Sequence, residues 1–596
     1  MCEEVCTFAH ILKKCAMEQI SSFNELVEKS IIKYWDMDAL TDYKGKTLQY
    51  HDVARKIEKL HIMFEASGVQ KGDKIALCGR NSSAWAASFL AVLTYGAVAV
   101  PILHEFMPEQ IHNIVNHSDA KLLFVGDVVV TQIDATKMPK LEGIIYIPDY
   151  SLVVSRTEKL TYAREHLNEE FGRRYPKYFR PEHVHYYREQ SPDELALINY
   201  TSGTTGRSKG VMLPYRSLWS NTDFAKHVLG DVVKPGSNVI SILPMAHMYG
   251  MSFEFIYEFL SGVHIYYLTR IPSPAIISQA LQEVKPIIMI AVPLVIEKII
   301  RKKVFPKIQN NKMRLLLNMP VINKKVRAKI REQVYQAFGG NLYEIIIGGA
   351  ALNGEIENFL RMIEFPYTVG YGATECGPII CYRDWHTFAK GSCGQAALHQ
   401  EVRIDSPDPA NVAGEILTKG PNVLLGYYKN EEDTARTIDK EGWFHTGDLG
   451  YKDKDGYFYI TGRKKNVIVL MNGKNVFPEE IEQELNVLPY KEEAIIVGIP
   501  SAEDERDLVV TLKLVYNPEG FEGKTPEEIN AIVKADVEKI NDKLPPYKRI
   551  KRVYTTDEPM EKTSTQKVKR FVETQKIIDE EKAEKLRREE AKSEEA

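Results

Sequence analysis

The strongest constraint on this chain is a rhythm. From about Leu48 into the 430s, apolar runs of strand length alternate with helical patterns. Residues 75–78, 121–125, 195–200, 239–243, 287–291 and 343–347 are such runs. Strands that are apolar on both faces need cover on both faces, and the intervening helices supply it. The pattern therefore predicts an α/β architecture of parallel sheets layered with helices. At 596 residues the chain exceeds what one core organises, so two or more domains are expected.

One stretch tests that reading. Residues 83–103 carry no charge and are long enough to cross a bilayer. Tyr95-Gly96 interrupts them, and 97–101 reads as a buried strand after a buried helix, so a core role is expected. After about Ala413 the texture changes. Turn signals crowd at 439–442, 453–456 and Asn472-Gly473, with short strands at 457–461 and 467–470. This predicts antiparallel β structure followed by a small α+β unit. Pro478-Glu479-Glu480-Ile481-Glu482 opens a helix, its acids facing the positive helix end. Residues 494–498 and 508–515 read as strands. The unit boundary is placed near Arg463 to Lys465, giving 1–464, 465–575 and a charged tail, 576–596. That tail is almost wholly Lys, Arg, Glu and Ala, a solvated helix or a disordered end. Its acids offset its bases and it offers little apolar face, which weakens a membrane role for it.

The net charge of −4 provides no global basic field, so nucleic acid is not an expected partner. The seven cysteines, Cys2, Cys6, Cys15, Cys78, Cys376, Cys381 and Cys393, form no CxxC pair and no zinc-type spacing with histidine. A reducing compartment fits. The acidic start, Met1-Cys2-Glu3-Glu4, is unlike a signal peptide, so a cytoplasmic location is expected. Peripheral membrane contact is compatible with this composition, and monomer and homodimer both stay open.

The chemistry concentrates in a few segments. Tyr200-Thr201-Ser202-Gly203-Thr204-Thr205-Gly206-Arg207-Ser208-Lys209-Gly210-Val211 follows a strand. Small hydroxyl residues and glycines let backbone N–H groups approach phosphate oxygens, and Arg207 and Lys209 add charge. The pattern is not a Walker loop. A tight turn alone would not need hydroxyls, glycines and a lysine packed so closely. Further segments are Gly348-Gly349-Ala350-Ala351 after a strand, Gly370-Tyr371-Gly372-Ala373-Thr374-Glu375, Gly442-Trp443-Phe444-His445-Thr446-Gly447-Asp448 and Gly462-Arg463-Lys464-Lys465. Taken alone, Thr446-Gly447-Asp448 is a turn and a lone glutamate is a solvated charge.

Together these motifs resemble the adenylate-forming superfamily of acyl-CoA synthetases, luciferases and peptide-synthetase adenylation domains. Within it the chain looks most similar to bacterial long-chain fatty acyl-CoA ligases. The resemblance spans about 23–571, with independent motifs in the expected order. It implies a large N-terminal domain of two parallel-type sheets plus a β-barrel-like subdomain, and a small mobile α+β C-terminal domain. It places Thr201, Ser202, Gly203, Thr204, Thr205, Gly206 and Lys209 on the phosphates of ATP. Tyr371 would stack on adenine beside Gly372, with Gly349 and Ala350 at the adenine edge. Thr374 would bond the α-phosphate and Glu375 would hold Mg²⁺, an ion for which one carboxylate beside a phosphate suffices. Asp448 and Arg463 would hold the ribose hydroxyls, since a carboxylate accepts two bonds from a diol.

Pro244-Met245-Ala246-His247-Met248-Tyr249-Gly250 matches a segment near the acyl carboxylate, where His247 bonds or shapes the pocket; a lone histidine among apolar residues is otherwise a satisfied core group. The wall between Trp219 and Met251 would shape the acyl pocket. The run 562–570 matches the loop of the family's catalytic lysine, which falls at Lys567. Ser-Thr-Gln precedes it where Pro-Ser-Gly is the commoner form, and Lys562 and Lys569 lie nearby. Lys465 corresponds to the hinge between two C-terminal orientations, the second bringing Gly473 and Lys474 toward coenzyme A.

The implied reaction is activation of a carboxylic acid, a long-chain fatty acid by this resemblance, to acyl-AMP and pyrophosphate, then transfer to coenzyme A. ATP, Mg²⁺ and coenzyme A are the implied cofactors and co-substrates. An aryl- or medium-chain acid CoA ligase, an amino-acid-type adenylating enzyme and a catalytically inactive nucleotide-binding regulator are the alternatives. A charged tail rather than a carrier domain after the lysine motif weighs against the amino acid activator.

Overall fold

The computed structural model describes residues 22–201, 208–269, 274–308, 320–471, 474–501, 508–562 and 568–594. An eight-stranded sheet forms its largest layer. Its strands run in the spatial order Gly426–Tyr427, Lys209–Pro214, Leu195–Thr201, Val98–Ile102, Lys74–Cys78, Ala120–Val125, Gly143–Tyr146 and Leu152–Ser155. The five central strands pair in parallel, and both edges are antiparallel. The expected parallel arrangement holds through the centre of the sheet, and antiparallel strands at the edges make it mixed. The physical reason is connection length: a parallel crossover needs a dozen residues or more. Too few residues separate Thr201 from Lys209, so these two strands return as an antiparallel pair with Thr201 opposite Lys209.

The uncharged stretch folds as expected for a core. Helix Ser83–Tyr95 is capped by the Ser82 hydroxyl, which accepts the Trp85 N–H. It ends at Gly96, whose φ of 85° is left-handed and open to glycine at little cost. Strand Val98–Ile102 follows, buried throughout. Among the described residues, no helix is long and apolar enough to cross a membrane.

A second sheet pairs Asn238–Ser241, His264–Tyr267 and Asp38–Asp42 in parallel, with Thr47–Gln49 antiparallel at its edge. A third, Ile288–Ala291, Glu344–Ile347 and Tyr367–Val369, is parallel throughout. The Ile287 N–H donates to Asn238 O at 3.0 Å and joins the two. A four-stranded antiparallel sheet comprises Glu401–Asp405, Gly414–Lys419, Phe444–Lys452 and Phe458–Arg463. A three-stranded antiparallel sheet comprises Tyr371–Gly372, Ile379–Tyr382 and Gln395–Ala396. Both are open, so the barrel-like subdomain does not close among the described residues.

Beyond Asn466 lies a separate apolar core, which includes Ile481, Leu485, Leu512 and Val533. It is built on the strands Lys491–Pro500, Leu508–Tyr516 and Arg552–Thr556. Helix Pro478–Glu484 begins with proline at its first position, as the sequence indicates. The chain continues in helix Arg570–Glu594.

Candidate active site

Three sheets deliver their strand ends to one region. The turn after Tyr371–Gly372 carries Thr374 and Glu375 on a short 3-10 helix, Thr374–Cys376. This turn is held tightly. The Asn221 side chain donates to Cys376 O at 3.2 Å and accepts the Ile379 N–H at 3.0 Å. The Ser252 hydroxyl donates to Gly377 O at 2.7 Å, and the Leu424 N–H donates to Glu375 O at 2.8 Å. Gly377 has φ of 59°, and a Cβ there would lie 2.2 Å from Ser217 Oγ, so both conformation and space demand glycine. The Glu375 carboxylate, half-buried, accepts the Tyr427 hydroxyl at 3.0 Å.

Asp448 and Arg463 face each other across paired strands, and register alone makes them neighbours. Arg463 Nε lies 2.6 Å from Asp448 Oδ1, and the Tyr371 hydroxyl donates to Asp448 Oδ2 at 2.6 Å. Burial, then the adjacent Asp448 carboxylate, pushes the Tyr371 phenol well above its ordinary pKa, so it remains a donor. Asp448 is 7% exposed and Arg463 45%, so the pair presents one buried acceptor under one accessible cation. Behind it, Glu415 accepts the Gly447 N–H at 3.0 Å and lies 2.9 Å from Lys464 Nζ. Burial would raise this carboxyl, but Lys464 and His445 hold it below the ordinary range.

Lys209 lies at the start of its strand, with Nζ 2.8 Å from Asp433 Oδ2 and 5.1 Å from the Tyr427 ring centroid. That contact holds the Asp433 carboxyl below its ordinary range. Tyr427 therefore touches the Lys209 strand with its face and Glu375 with its hydroxyl. Thr201 is half-buried at the end of the preceding strand. Ser202, Gly203, Thr204, Thr205 and Gly206, together with Arg207, lie outside the described residues.

Gly348, Gly349, Ala350 and Ala351 follow strand Glu344–Ile347. Gly349 has φ of 85° and is exposed with Ala350, offering a small-residue surface that a flat base can approach. A Cβ on Gly348 would lie 3.0 Å from the Tyr249 ring, whose hydroxyl donates to Ile346 O at 3.0 Å. This couples the loop to the His247 segment. His247 caps helix Met248–Met251, its Nδ1 accepting the Tyr249 N–H at 3.2 Å. The ring is thus engaged structurally and half-buried.

Gly473 and Lys567 lie outside the described residues. Lys474 Nζ sits 4.6 Å from the Tyr547 ring centroid. Lys465 belongs to the 3-10 turn Lys464–Asn466 directly after Arg463. Of the neighbouring lysines, Lys562 is paired with Glu493 and Lys569 lies 2.6 Å from Glu561. Sequence reasoning missed Tyr427, Asp433, Glu415 and Asn221. Only strand pairing and helix packing make them neighbours of the motifs. Among the described residues no three His, Cys, Asp or Glu side chains form a metal cluster. Glu375 fits Mg²⁺ differently: among the described residues its carboxylate has one hydrogen-bond partner, leaving acceptor capacity for an ion that takes its other ligands from phosphate and water.

Comparison with known proteins follows this geometry. The AMP-binding enzyme family matches residues 27–428, and the AMP-binding enzyme C-terminal domain matches 465–580. The long-chain-fatty-acid–CoA ligase FadD15 of Mycobacterium bovis is 29% identical over 496 residues, covering 79% of this chain and 78% of that relative. The long-chain-fatty-acid–CoA ligase of Bacillus subtilis is 24% identical over 582 residues, covering 92% and 93%. Among solved structures, ATP-bound MatB from Rhodopseudomonas palustris has a TM-score of 0.73 at 22% identity, covering 94% of this chain and 99% of that one. The anthranilate CoA ligase AuaEII with anthranoyl-AMP has a TM-score of 0.72 at 20% identity, covering 92% and 96%. These structural likenesses show the adenylate-forming fold.

Proposed function

The chain belongs to the AMP-binding enzyme family, and on that premise we propose that it is an acid–CoA ligase that forms an acyl-AMP intermediate, with long-chain fatty acids as its substrates. The observation that carries the reading is the Tyr371–Asp448–Arg463 cluster. It places a buried carboxylate, a phenol and a guanidinium beside the turn of Thr374 and Glu375, a set suited to the diol and base of a nucleotide. The names of the curated relatives support the long-chain assignment. We divide the chain at 464/465, with the nucleotide and acid held by the larger part and Lys567, Gly473 and Lys474 carried by the smaller.

A carboxylic acid is ionised at neutral pH, so it needs no general base to attack the α-phosphate. What opposes attack is charge repulsion. Thr374 contributes a hydroxyl at the α-phosphate, the 201–209 segment contributes backbone and hydroxyl donors, and Lys567 contributes a cation. Glu375 would hold Mg²⁺, which, when bound, offsets phosphate charge. Asp448 and Arg463 orient the ribose, and the exposed 349–350 surface receives the base. In the second step the thiol of coenzyme A attacks the acyl carbon and AMP leaves.

The test is pyrophosphate release by purified protein with ATP and MgCl₂, and AMP release once coenzyme A is added, against octanoate, palmitate, benzoate, malonate and an amino acid mixture. Acid-dependent pyrophosphate strongest with palmitate, followed by AMP and palmitoyl-CoA once coenzyme A is added, is expected. Benzoate as the preferred acid would move the assignment to an aryl ligase. No pyrophosphate with any acid would overturn the reading.

A further inference from the structure

The segment 242–247 lies between strand Asn238–Ser241 and helix Met248–Met251 and belongs to neither. Side chains from three other places hold it. Glu254 Oε2 accepts the Ile242 N–H at 3.0 Å, the Leu243 N–H at 2.9 Å and the Ser241 hydroxyl at 3.1 Å. Asn81 spans the next step. Its Nδ2 donates to Leu243 O at 2.7 Å and to Ser241 Oγ at 3.1 Å, and its Oδ1 accepts the Met245 N–H at 2.8 Å. Asn199, on the strand that ends at Thr201, donates to Ala246 O at 2.8 Å. His247 comes next.

Glu254 is the unusual member. It is 2% exposed, between the buried Phe253 and Phe255, and its Oε1 has no hydrogen-bond partner among the described residues. A carboxyl buried with one oxygen unanswered costs stability, a cost that the three donors on its other oxygen offset in part. It also sits on a five-residue π-helical stretch, Ser252–Ile256, a deviation that recurs at functional sites. The same stretch sends the Ser252 hydroxyl to Gly377 O at 2.7 Å, in the turn that carries Thr374 and Glu375. Satisfying three donors accounts for one oxygen of Glu254, and a positional role accounts for the whole set together.

We propose that Glu254 is a positioning residue for acid binding: by gathering two backbone N–H groups and a hydroxyl onto one oxygen, it sets the path of 242–247 and hence where His247 and the adjoining backbone meet the substrate carboxylate. This rests on the acyl-adenylation reading above. Glu254 itself touches no substrate. Its own hydrogen bonds go to 241–243, ahead of His247, whereas Asp448, Arg463 and Tyr371 hang from other strands, so the larger effect falls on the acid.

The experiment uses the full chain with palmitate and ATP varied separately. Glu254→Leu keeps approximate volume but removes the acceptor, and Glu254→Gln keeps a carbonyl acceptor. Glu254→Leu should raise KM for palmitate about tenfold while KM for ATP stays within about twofold, and Glu254→Gln should restore most of the loss. An unchanged palmitate KM, equal movement of both KM values, or a Gln variant as impaired as Leu would overturn the proposal. Asn81→Ala attacks the same segment from outside the helix and should give the same split if Glu254→Leu fails to fold. Hydrogen exchange on peptides covering 241–247 supplies a readout independent of turnover. Protection should fall there in Glu254→Leu and hold at 371–377. If the parent protein releases no pyrophosphate with any acid, the functional reading fails by itself, whereas unchanged exchange at 241–247 removes the positioning role of Glu254.

Discussion

At the scale of single residues, the buried carboxyls divide into two kinds. Asp448 is buried but answered by a cation and a phenol. Glu344 is not. It is fully buried on a central parallel strand and accepts the Tyr382 hydroxyl on one oxygen, with no cation beside it to answer its charge among the described residues. Burial pushes its pKa up to about 8. The unfolded chain releases this proton near the ordinary carboxyl value, so between there and about 8 the folded state binds more protons. Stability from this group is therefore complete at low pH and is lost as pH rises through that window. Glu344→Gln, neutral at all pH values, should gain thermal stability relative to the parent as pH goes from 5 to 8, by a difference on the order of a few kcal/mol, and no further above about 8. Melting temperatures of both proteins across that range check it, and a constant gap would show that Glu344 ionises normally. Nothing in the sequence marks Glu344, since a glutamate beside Tyr343 at the start of an apolar run reads as a strand edge. Thr374 and Glu375 were legible because their neighbours form a motif. Tyr427 was not, because its contact with Glu375 exists only once Gly426–Tyr427 pairs with the Lys209 strand.

Elements were more legible than their pairing. The runs at 75–78, 121–125, 195–200, 287–291 and 343–347 are strands within a residue or two, because burial on both faces writes a continuous apolar signal. Strand direction is written instead in connection lengths, which is why the antiparallel return to Lys209 escaped the pattern of apolar runs. The C-terminal helix shows the converse error of emphasis. Composition suggests a solvated end, and much of Arg570–Glu594 is polar. Its first turns nonetheless complete the small domain. Arg570 reaches Glu482 at 2.6 Å and Ile496 O at 2.5 Å, and Glu573, 1% exposed, is flanked by Lys513 at 2.7 Å and Lys576 at 2.8 Å. Ile577 is fully buried, and Arg552 reaches Glu581 at 2.8 Å. Removing residues 584–596 should therefore leave the melting transition within about 1 °C. Removing 570–596 exposes apolar core and strips the partners of Lys513 and Arg552, so the small domain should become sensitive to limited proteolysis. Equal protease resistance of the two truncations would mean that the helix is an ornament.

For the whole molecule, the proposed reaction requires a lysine on the smaller part to serve chemistry on the larger. Lys562, Lys567 and Lys569 are close in sequence, and the first and last are each engaged by an acid. Lys562 is paired with Glu493 and Lys569 with Glu561, both acids of the same small domain. Moving either to a phosphate would break an ion pair first. Lys567 is the lysine that the family motif selects. A cation about 4 Å from a phosphate oxygen is worth about 4 kcal/mol at an effective dielectric of about 20, and each 1.4 kcal/mol is about tenfold in rate. Lys567→Ala should lower acyl-AMP formation from palmitate and ATP by roughly two to three orders of magnitude. Lys562→Ala and Lys569→Ala should stay within about threefold of the parent, as expected for partly exposed ion pairs. The second half-reaction separates this from general damage. When palmitoyl-AMP and coenzyme A are supplied directly, the attack no longer concerns the α-phosphate, and in the proposed reaction the small domain turns to bring 473–474 rather than 567 toward the site. Lys567→Ala should then form palmitoyl-CoA at close to the parental rate, whereas Lys465→Pro, which fixes φ at the turn joining the two parts, should lose one half-reaction and keep the other. If Lys567→Ala lowers both halves equally, the lysine supports the fold rather than the adenylation step. If Lys465→Pro leaves both halves intact, one arrangement of the two parts serves the entire reaction.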